Sequence, residues 1–578
     1  MRLKASVSKN SVSYSVIKDY RVNGVRTTKI VEALGNLEEI KVRAGDTDPE
    51  VWLNNYIAEL TRQDKDNNRV VSLNLNPNKE ITADQLRLFN GGYLFLQALY
   101  YQLGFHKICA AITKKYKFTY DLNNILAILI YARIIYPSSK MSTLKASENF
   151  IEPPSFDLHH IYRALEVLAK ENSFIQSALY KNSLMMSKRN TRVIYYDCTN
   201  YYFETEEEAG LKQYGVSKEN RPNPIVQMGL FMDGDGIPLL FSITPGNTNE
   251  QITLQPAEKK LLRDFELSKF IVCTDAGLAS SANRRFNDTA NRSFVTTQSV
   301  KKLKNYLKEW ALSPDGWHLP NSTTKYNIQE LDESLYQDNV FYKERWINEN
   351  DIEQRLIITF SLKYRDYERN IRGKQLGRAA KLVASNPKII DKPRQNDYKR
   401  FIVKTSVTEE GELAEKVKYS LNYEKVSEEK QYDGFYALCT NLEDSPQIIL
   451  NISRRRWEIE ECFRIMKDDL ESRPAYLSRD DRLTAHFLTC FLALIIYRYL
   501  ETKLNANLKP EDYYTVKQII KTLRDYNFNH FLGDGYVPAY TKTAITDKLH
   551  KTFDFKTDYE IVSEKMMKSI CRFTKAEK

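Results

Sequence analysis

Three acids stand where a chain can put carboxylates to chemical use. Asp197 follows the β-branched and aromatic run Val-Ile-Tyr-Tyr, and Asp275 follows Ile-Val-Cys-Thr, so each reads as an acid at the end of a buried strand. Open α/β sheets bind ligands at that edge. Paired carboxylates there suit a hard divalent cation such as Mg2+, whose shell is completed by water and phosphate oxygens. A strand-end aspartate also caps the turn that follows it, and taken singly the two readings stand side by side.

The third candidate lies in RRRWEIEECFRIMKDDL, residues 454–470. Read as one helix at about 100° per residue with Arg456 at zero, Lys467 falls near 20° and Glu460 near 40°, beside the apolar stripe of Ile459, Phe463, Met466 and Leu470. Glu458 and Glu461 fall roughly 200° and 140° around and read as solvent-facing. The competing reading is an ordinary Arg-Glu pair at i, i+4 on a half-exposed helix.

The elements that must position these side chains are legible in outline. Residues 1–45 alternate in short β-like runs about Asn23-Gly24, which predicts a hairpin unit. Residues 46–190 are mostly helical by period, with the polar stretch 64–68 as a candidate linker. Across 191–299 the order is strand, hairpin through Asp233-Gly234-Asp235-Gly236, helix and strand, which predicts a mixed α/β sheet flanked by helices. Residues 300–445 are irregular and β-rich and read as an insertion. The core pattern returns at 446–500, and 501–578 reads as a helical region.

With the order on the page, a resemblance can be stated. A strand-end Asp, then Asp-Ala-Gly at a second strand end, then R-W-x-I-E-x-x-F-x-x-x-K resembles the DDE transposases of bacterial insertion sequences. The subgroup is the one, insertion-sequence family four-like, whose signature is Y-x2-R-x3-E-x6-K. Arg456, Glu460 and Lys467 match it with both spacings intact, while Ser453 stands at the tyrosine position. GIPLLFSITPGNTNE is similar to the strand and Gly-Asn turn between the family's two aspartates, and the resemblance spans about 190–500.

The resemblance implies an RNase H-like core in which Asp197, Asp275 and Glu460 hold two Mg2+ ions, with Mn2+ as a substitute. Arg456 and Lys467 would grip DNA backbone phosphates, with 46–190 as a DNA-binding region and 300–445 as a separate unit reaching over the site. It implies binding to the inverted repeats of the chain's own element, cleavage of the ends, often through a hairpin in relatives, and joining of 3′ ends to target DNA. A homodimer on paired ends goes with that activity. Two rivals keep part of the picture: a metal-dependent nuclease that cuts without joining, and a domesticated DNA-binding derivative with an inert site. The presence of all three acids speaks against the second.

Composition is compatible with this. Lys and Arg number 85 against 75 Asp and Glu, a net charge of +10, which suits a polyanionic partner without requiring one. Seven scattered cysteines with no C-x-x-C pair fit a reducing cytoplasm. There is no signal-peptide pattern at the start. The runs ILAILIYARIIY and FLTCFLALIIYRYL read as buried helices too short to span a bilayer. No Walker loop or dinucleotide fingerprint is present, which sets aside those two nucleotide-binding classes. His106, His159, His160 and His486 show no partners at metal spacing and read as core or surface residues. Trp310, Trp317 and Trp346 are candidates either to stack on an unpaired base or to pack. The basic runs 301–308 and 364–381 either track the DNA backbone or are solvated faces.

Overall fold

The computed structural model describes residues 1–8, 12–22, 25–45, 47–67, 77–78, 80–385, 397–407, 416–473, 475 and 477–576. Its centre is a run of strands with near-continuous apolar sequence: β1 (Val193–Tyr202), β2 (Ile225–Asp233), β3 (Pro238–Pro245), β4 (Phe270–Thr274) and β5 (Arg292–Gln298). They lie in the order β3-β2-β1-β4-β5. β2 pairs antiparallel with both β1 and β3, and β4 pairs parallel with both β1 and β5. This is the RNase H-like mixed sheet, and both faces are buried because helices cover them.

The sheet does not stop at β5. Three strands from the inserted segment, β6 (Phe341–Glu349), β7 (Ile352–Phe360) and β8 (Phe435–Thr440), extend it to eight strands in the order β5-β8-β7-β6. The expectation of a separate β-rich unit is corrected accordingly. An edge at β5 would leave a row of unpaired N–H and C=O groups, and β8 satisfies it through the pairs from Ala437↔Gln298 to Thr440↔Val295. A two-stranded ladder, Ile402–Val407 with Lys416–Leu421, lies outside this sheet.

On one face pack α1 (Leu122–Ile135), α2 (Leu158–Lys170), α4 (Pro446–Arg454), α5 (Trp457–Arg464) and α6 (Asp480–Asn505), and on the other α3 (Leu254–Asp264) with the helix Asn305–Leu312. α6 contains FLTCFLALIIYRYL and is longer than that run. By length and composition it could cross a membrane, but 94% of its most apolar window is buried inside the protein. It is the axis on which α1 and α2 pack.

Residues 501–578 are not purely helical. Asn527–Phe531, Gly535–Pro538 and Val562–Ser563 form an antiparallel sheet with Leu88–Asn90, from the other end of the sequence.

Residues 1–85 form a unit with its own small core of Val16, Leu34, Ile40 and Leu53. Arg2–Val7, Val12–Val22 and Val25–Gly35 make its sheet, and Leu37–Ala44 and Pro49–Asn67 its helices. Asn36 starts the first helix with a capping box: its Oδ1 accepts from the Glu39 N–H and its own N–H donates to Glu39 Oε2, both at 3.0 Å. The second helix runs through residue 67, so most of the candidate linker is its last turn. The Asn23-Gly24 turn lies outside the described residues.

Candidate active site

Asp197 is the fifth residue of the ten-residue β1, not the residue at which the strand stops. The strand continues because its second half is still paired with β2, as far as Tyr202↔Ile225. Only the parallel neighbour ends early. The β1–β4 register runs from Val193↔Ile271 to Tyr195↔Cys273, and carried two residues further it sets Asp197 level with Asp275. Asp275, the first residue after β4, thus falls beside Asp197 of the neighbouring parallel strand.

Alternation along β1 decides which way Asp197 faces. Tyr195 and Tyr201 share its face. The Tyr195 hydroxyl donates to the Ile452 carbonyl at 3.0 Å, and that of Tyr201 lies 3.9 Å from the Met466 sulfur. Asp197, between them, faces the same helical segment. That segment is anchored by Ile459, Cys462, Phe463 and Met466, all buried against the sheet.

The segment is not one helix. α4 ends at Arg454, a turn carries residues 455 and 456, α5 runs Trp457–Arg464, and Ile465–Asp469 is a π-helix closed by the Leu470 N–H on the Ile465 carbonyl at 2.8 Å. A uniform 100° per residue therefore holds from Arg456 to Glu460 and fails further on, where the wider π turn shifts the phase at Lys467. π turns of this kind recur at functional sites.

Arg456 keeps its pairing all the same. Its Nη1 lies 3.1 Å from Glu460 Oε1, and Glu460 is the most exposed of the neighbouring glutamates, with its side chain 57% exposed against 12% for Glu458 and 25% for Glu461. Burial pulls the Arg456 guanidinium down, but Tyr436, Glu460, Asp197 and Asp275 around it outweigh that and raise it. Arg456 is thus the group that feels all three candidate acids. As a triplet the acids do not close to within 4.8 Å of one another among the described residues.

The Asp197 carboxyl is pushed up to about 6, first by burial and then by Asp275, against the pull of Lys218, the Cys198 N–H and Arg456. The Cys198 N–H donates to Asp197 Oδ1 at 2.7 Å. Asp275 Oδ1 accepts from the Leu278 N–H at 3.1 Å, so it caps its turn as well as facing Asp197. Two like-charged carboxylates held level, with only oxygen donors on offer, fit a hard divalent cation of the Mg2+ or Mn2+ type.

The sequence reading missed several residues of this neighbourhood. Lys218 lies in the β1–β2 connection, 3.0 Å from Glu250 Oε1, and bonds the Cys198 carbonyl. Burial lowers its pKa, but Asp197 and Glu250 win and raise it. Lys467 does not point freely outward: its Nζ is 3.2 Å from Glu219 Oε1 and 5.3 Å from the Tyr201 ring centroid. Burial lowers the Lys467 pKa, with Arg473 and Lys218 adding to it and Glu219 opposing. Arg473 grips the same Glu219 oxygen. Nothing in the sequence marked Glu219 or Arg473, since they are 254 residues apart.

Glu458 and Glu461 were expected in solvent and are not. Glu458 takes Arg455 at 2.8 Å, and Glu461 takes Arg464 at 3.5 Å and Arg498 at 3.8 Å. They line a cleft of about 1060 Å3 with Asp235, Glu501 and Tyr513, on the side of α5 away from Glu460. Ser453 is buried at the end of α4.

The remaining candidates sort by burial. Trp317 is a fully buried core residue, Trp310 lies under Lys343 and Arg345 at 5.3 Å each, and Trp346 is 46% exposed. The run 364–381 belongs to the helix Leu362–Ser385, where Arg365 and Arg372 are tied to Glu333 and Asp433. His486 is core, 3.0 Å from the Ser472 carbonyl. His159 and His160 do approach a third group, Asp157, within 4.8 Å, contrary to their reading as unpartnered. Asp157 and His160 are there engaged in a helix cap.

Comparison with known proteins gives three findings. Residues 190–496 match a family model described as Transposase DDE domain. No curated protein sequence matches. Among solved structures, a piggyBac transposase synaptic complex with hairpin DNA aligns over 83% of this chain and 85% of its own, at 7% identity and a TM-score of 0.36. A Mos1 transposase paired-end complex with the left transposon end aligns over 42% and 66%, at 13% identity and a TM-score of 0.14.

Proposed function

The chain belongs to the Transposase DDE domain family, and from that premise we propose that it is the transposase of a bacterial insertion sequence. It binds the inverted repeats of its own element as a homodimer, cuts the element's ends and joins the 3′ ends to target DNA in the cytoplasm. The observation that carries this is Asp197 of β1 level with Asp275, the first residue after β4, with Asp197 on the face of β1 that meets the segment of Arg456 and Glu460. Burial of every cysteine, all of them unpaired, is in keeping with a reducing compartment.

Asp197, Asp275 and Glu460 are the residues that would hold Mg2+ or Mn2+. When bound, two such ions supply an activated hydroxyl and stabilisation of the leaving oxygen in displacement at phosphorus. The protein's own work is positional. The sheet fixes the two aspartates, and α5 carries Glu460 beside Arg456, the residue that feels all three acids. Lys218, Arg456, Lys467 and Arg473 form a cationic rim for backbone phosphates. In the structure Glu460 and Glu219 already occupy the guanidinium and ammonium groups of Arg456, Lys467 and Arg473. DNA phosphates replace Glu219 there, and Arg456 exchanges Glu460 for phosphate.

The test is a strand-transfer assay with pre-cut ends taken from inverted repeats flanking the reading frame. Joined products support the reading, and a time course with uncut ends shows whether cleavage passes through a hairpin. DNA that is nicked or degraded without joining overturns it in favour of a nuclease.

A further inference from the structure

The helix Leu362–Ser385 runs for 24 residues and buries only Leu362 and Ala379. A helix this polar is ordinarily held by pairs of opposite charge spread along its surface. Here the two signs are sorted by face. With Lys374 at zero and about 100° per residue, Glu368, Arg372 and Arg365 fall near 120°, 160° and 180°. All three are engaged within the protein: Glu368 Oε2 accepts the Gly434 N–H at 2.8 Å, Arg372 pairs with Asp433, and Arg365 pairs with Glu333 at 2.7 Å.

The opposite face carries Lys363, Tyr367, Lys374, Arg378 and Lys381, all between about −20° and 40° and all exposed. Lys363 meets Asp338 at 3.0 Å. Lys374, Arg378 and Lys381 make no ion pair or hydrogen bond among the described residues. Asp366, near −80° at the edge of this face, is already held by Gln337 Nε2 at 3.1 Å and by Arg365.

Two glycines flank the cations. A Cβ added at Gly373 or Gly377 would meet no atom within 4 Å, and neither residue has a positive φ. Glycine inside a helix costs stability relative to alanine, and no close contact among the described residues calls for it at either position. With Ala380 and Ala384 the glycines make a smooth strip from about −60° to −120°, along which the backbone of another molecule can come close.

The helix also starts near the active-site rim. The Tyr364 hydroxyl is raised first by burial and then by Glu368 and Tyr436, and Tyr436 is the foremost of the groups that raise Arg456.

We propose that this outward face docks duplex DNA, with Lys374, Arg378 and Lys381 on backbone phosphates, Tyr367 as a neutral donor beside them and the glycine strip as the line of closest approach. The identity of the polyanion rests on the transposase reading. Lys467 and Arg473 must leave Glu219 before they meet phosphate, whereas these three cations displace no acid. Contacts to the backbone hold DNA without regard to sequence.

The experiment measures binding of the full chain to a duplex carrying the element's end and to an arbitrary duplex of equal length, across a range of salt. In the triple variant Lys374→Ala, Arg378→Ala, Lys381→Ala the slope of log K against log salt should fall by about 0.9 for each of three phosphate contacts, equally for both duplexes. Gly373→Leu with Gly377→Leu should raise the melting temperature, because leucine is the better helix former, and yet weaken binding to both duplexes. An unchanged slope in the triple variant, while the parent still prefers the end duplex, overturns the surface and leaves the transposase reading standing. A loss confined to the end duplex overturns the assignment to the backbone. A parent that binds neither duplex overturns the surface and the transposase reading together.

Discussion

The two sides of α5 carry the same residue types and do opposite things with them. On the front, Arg456 and Glu460 form a pair whose glutamate is more than half exposed and which faces the two level aspartates. On the back, Arg455, Glu458, Glu461 and Arg464 meet Arg498 and Glu501 of α6, and the charges are mutually satisfied. Arg498 donates to the Gly236 carbonyl at 3.0 Å and to Glu501 Oε2 at 2.6 Å, and the Tyr497 hydroxyl donates to Glu501 at 3.1 Å. The difference teaches that the same charges stay exchangeable where the fold gives them one half-exposed partner, and become locked where it supplies several. The front is under-neutralised on its acidic side and exchangeable; the back locks α5 onto α6 and the β2–β3 turn.

The comparison breaks most sharply at Glu460. Glu460→Gln should lower cleavage and joining by about 10³-fold or more with no change in melting temperature, since one preorganised charge of this kind is worth that much in an active site. Retained activity would return Glu460 to the rank of a surface ion-pair partner. On the back, Arg498→Ala should leave Glu501 buried without its cation and cost about 3–5 kcal/mol in a denaturant titration. A variant as stable as the parent would show that the back network does not hold α5.

Glu258 sharpens the comparison, because it is a carboxyl given no cation at close range. It is fully buried, with Asn287 Nδ2 at 2.8 Å from one oxygen and no hydrogen bond on the other. Burial pushes it up to about 8, with Asn287 and Arg292 opposing. The unfolded chain gives up this proton from about pH 4.5 while the folded chain keeps it to about 8, so stability falls as pH rises across that window. The slope is about 1.4 kcal/mol per pH unit at most, and it flattens above 8. Glu258→Gln should remove that component from the pH dependence of the urea midpoint.

Smaller effects are expected from the remaining charges. Lys467→Ala should weaken binding to end DNA and reduce the slope of log K against log salt by about 0.9, the value of one lost phosphate contact. An unchanged slope would mean that Lys467 serves only Glu219. Glu461→Gln should cost under about 1 kcal/mol and leave cleavage intact; a dead Glu461→Gln would place the reactive face on the wrong side of the helix.

Much of the site was legible because its parts are local. A β-branched and aromatic run ending near an acid, and an Arg-x3-Glu spacing, are carried within a few residues, and the contact at i, i+4 holds because Arg456 already has helical backbone as the residue that caps α5. Lys467 lies within the π turn, and its phase was lost with it. The partners Lys218, Glu219, Tyr436 and Arg473 were invisible, since no local rule connects β1, its following connection, β8 and the segment after the π turn.

The sequence by itself determined the two buried strands with their acids, the helix that carries Glu460, and the apolar faces on which all three pack. Periodicity and propensity are properties of neighbours along the chain, and they survive without the fold. Only the tertiary structure decided that Asp197 lies inside β1 and level with Asp275, that the inserted strands continue the main sheet, and that Glu458 and Glu461 are paired and not solvated. Register, sheet edges and burial depend on contacts across hundreds of residues, where hydrogen-bond satisfaction and desolvation set the outcome and local pattern has no say.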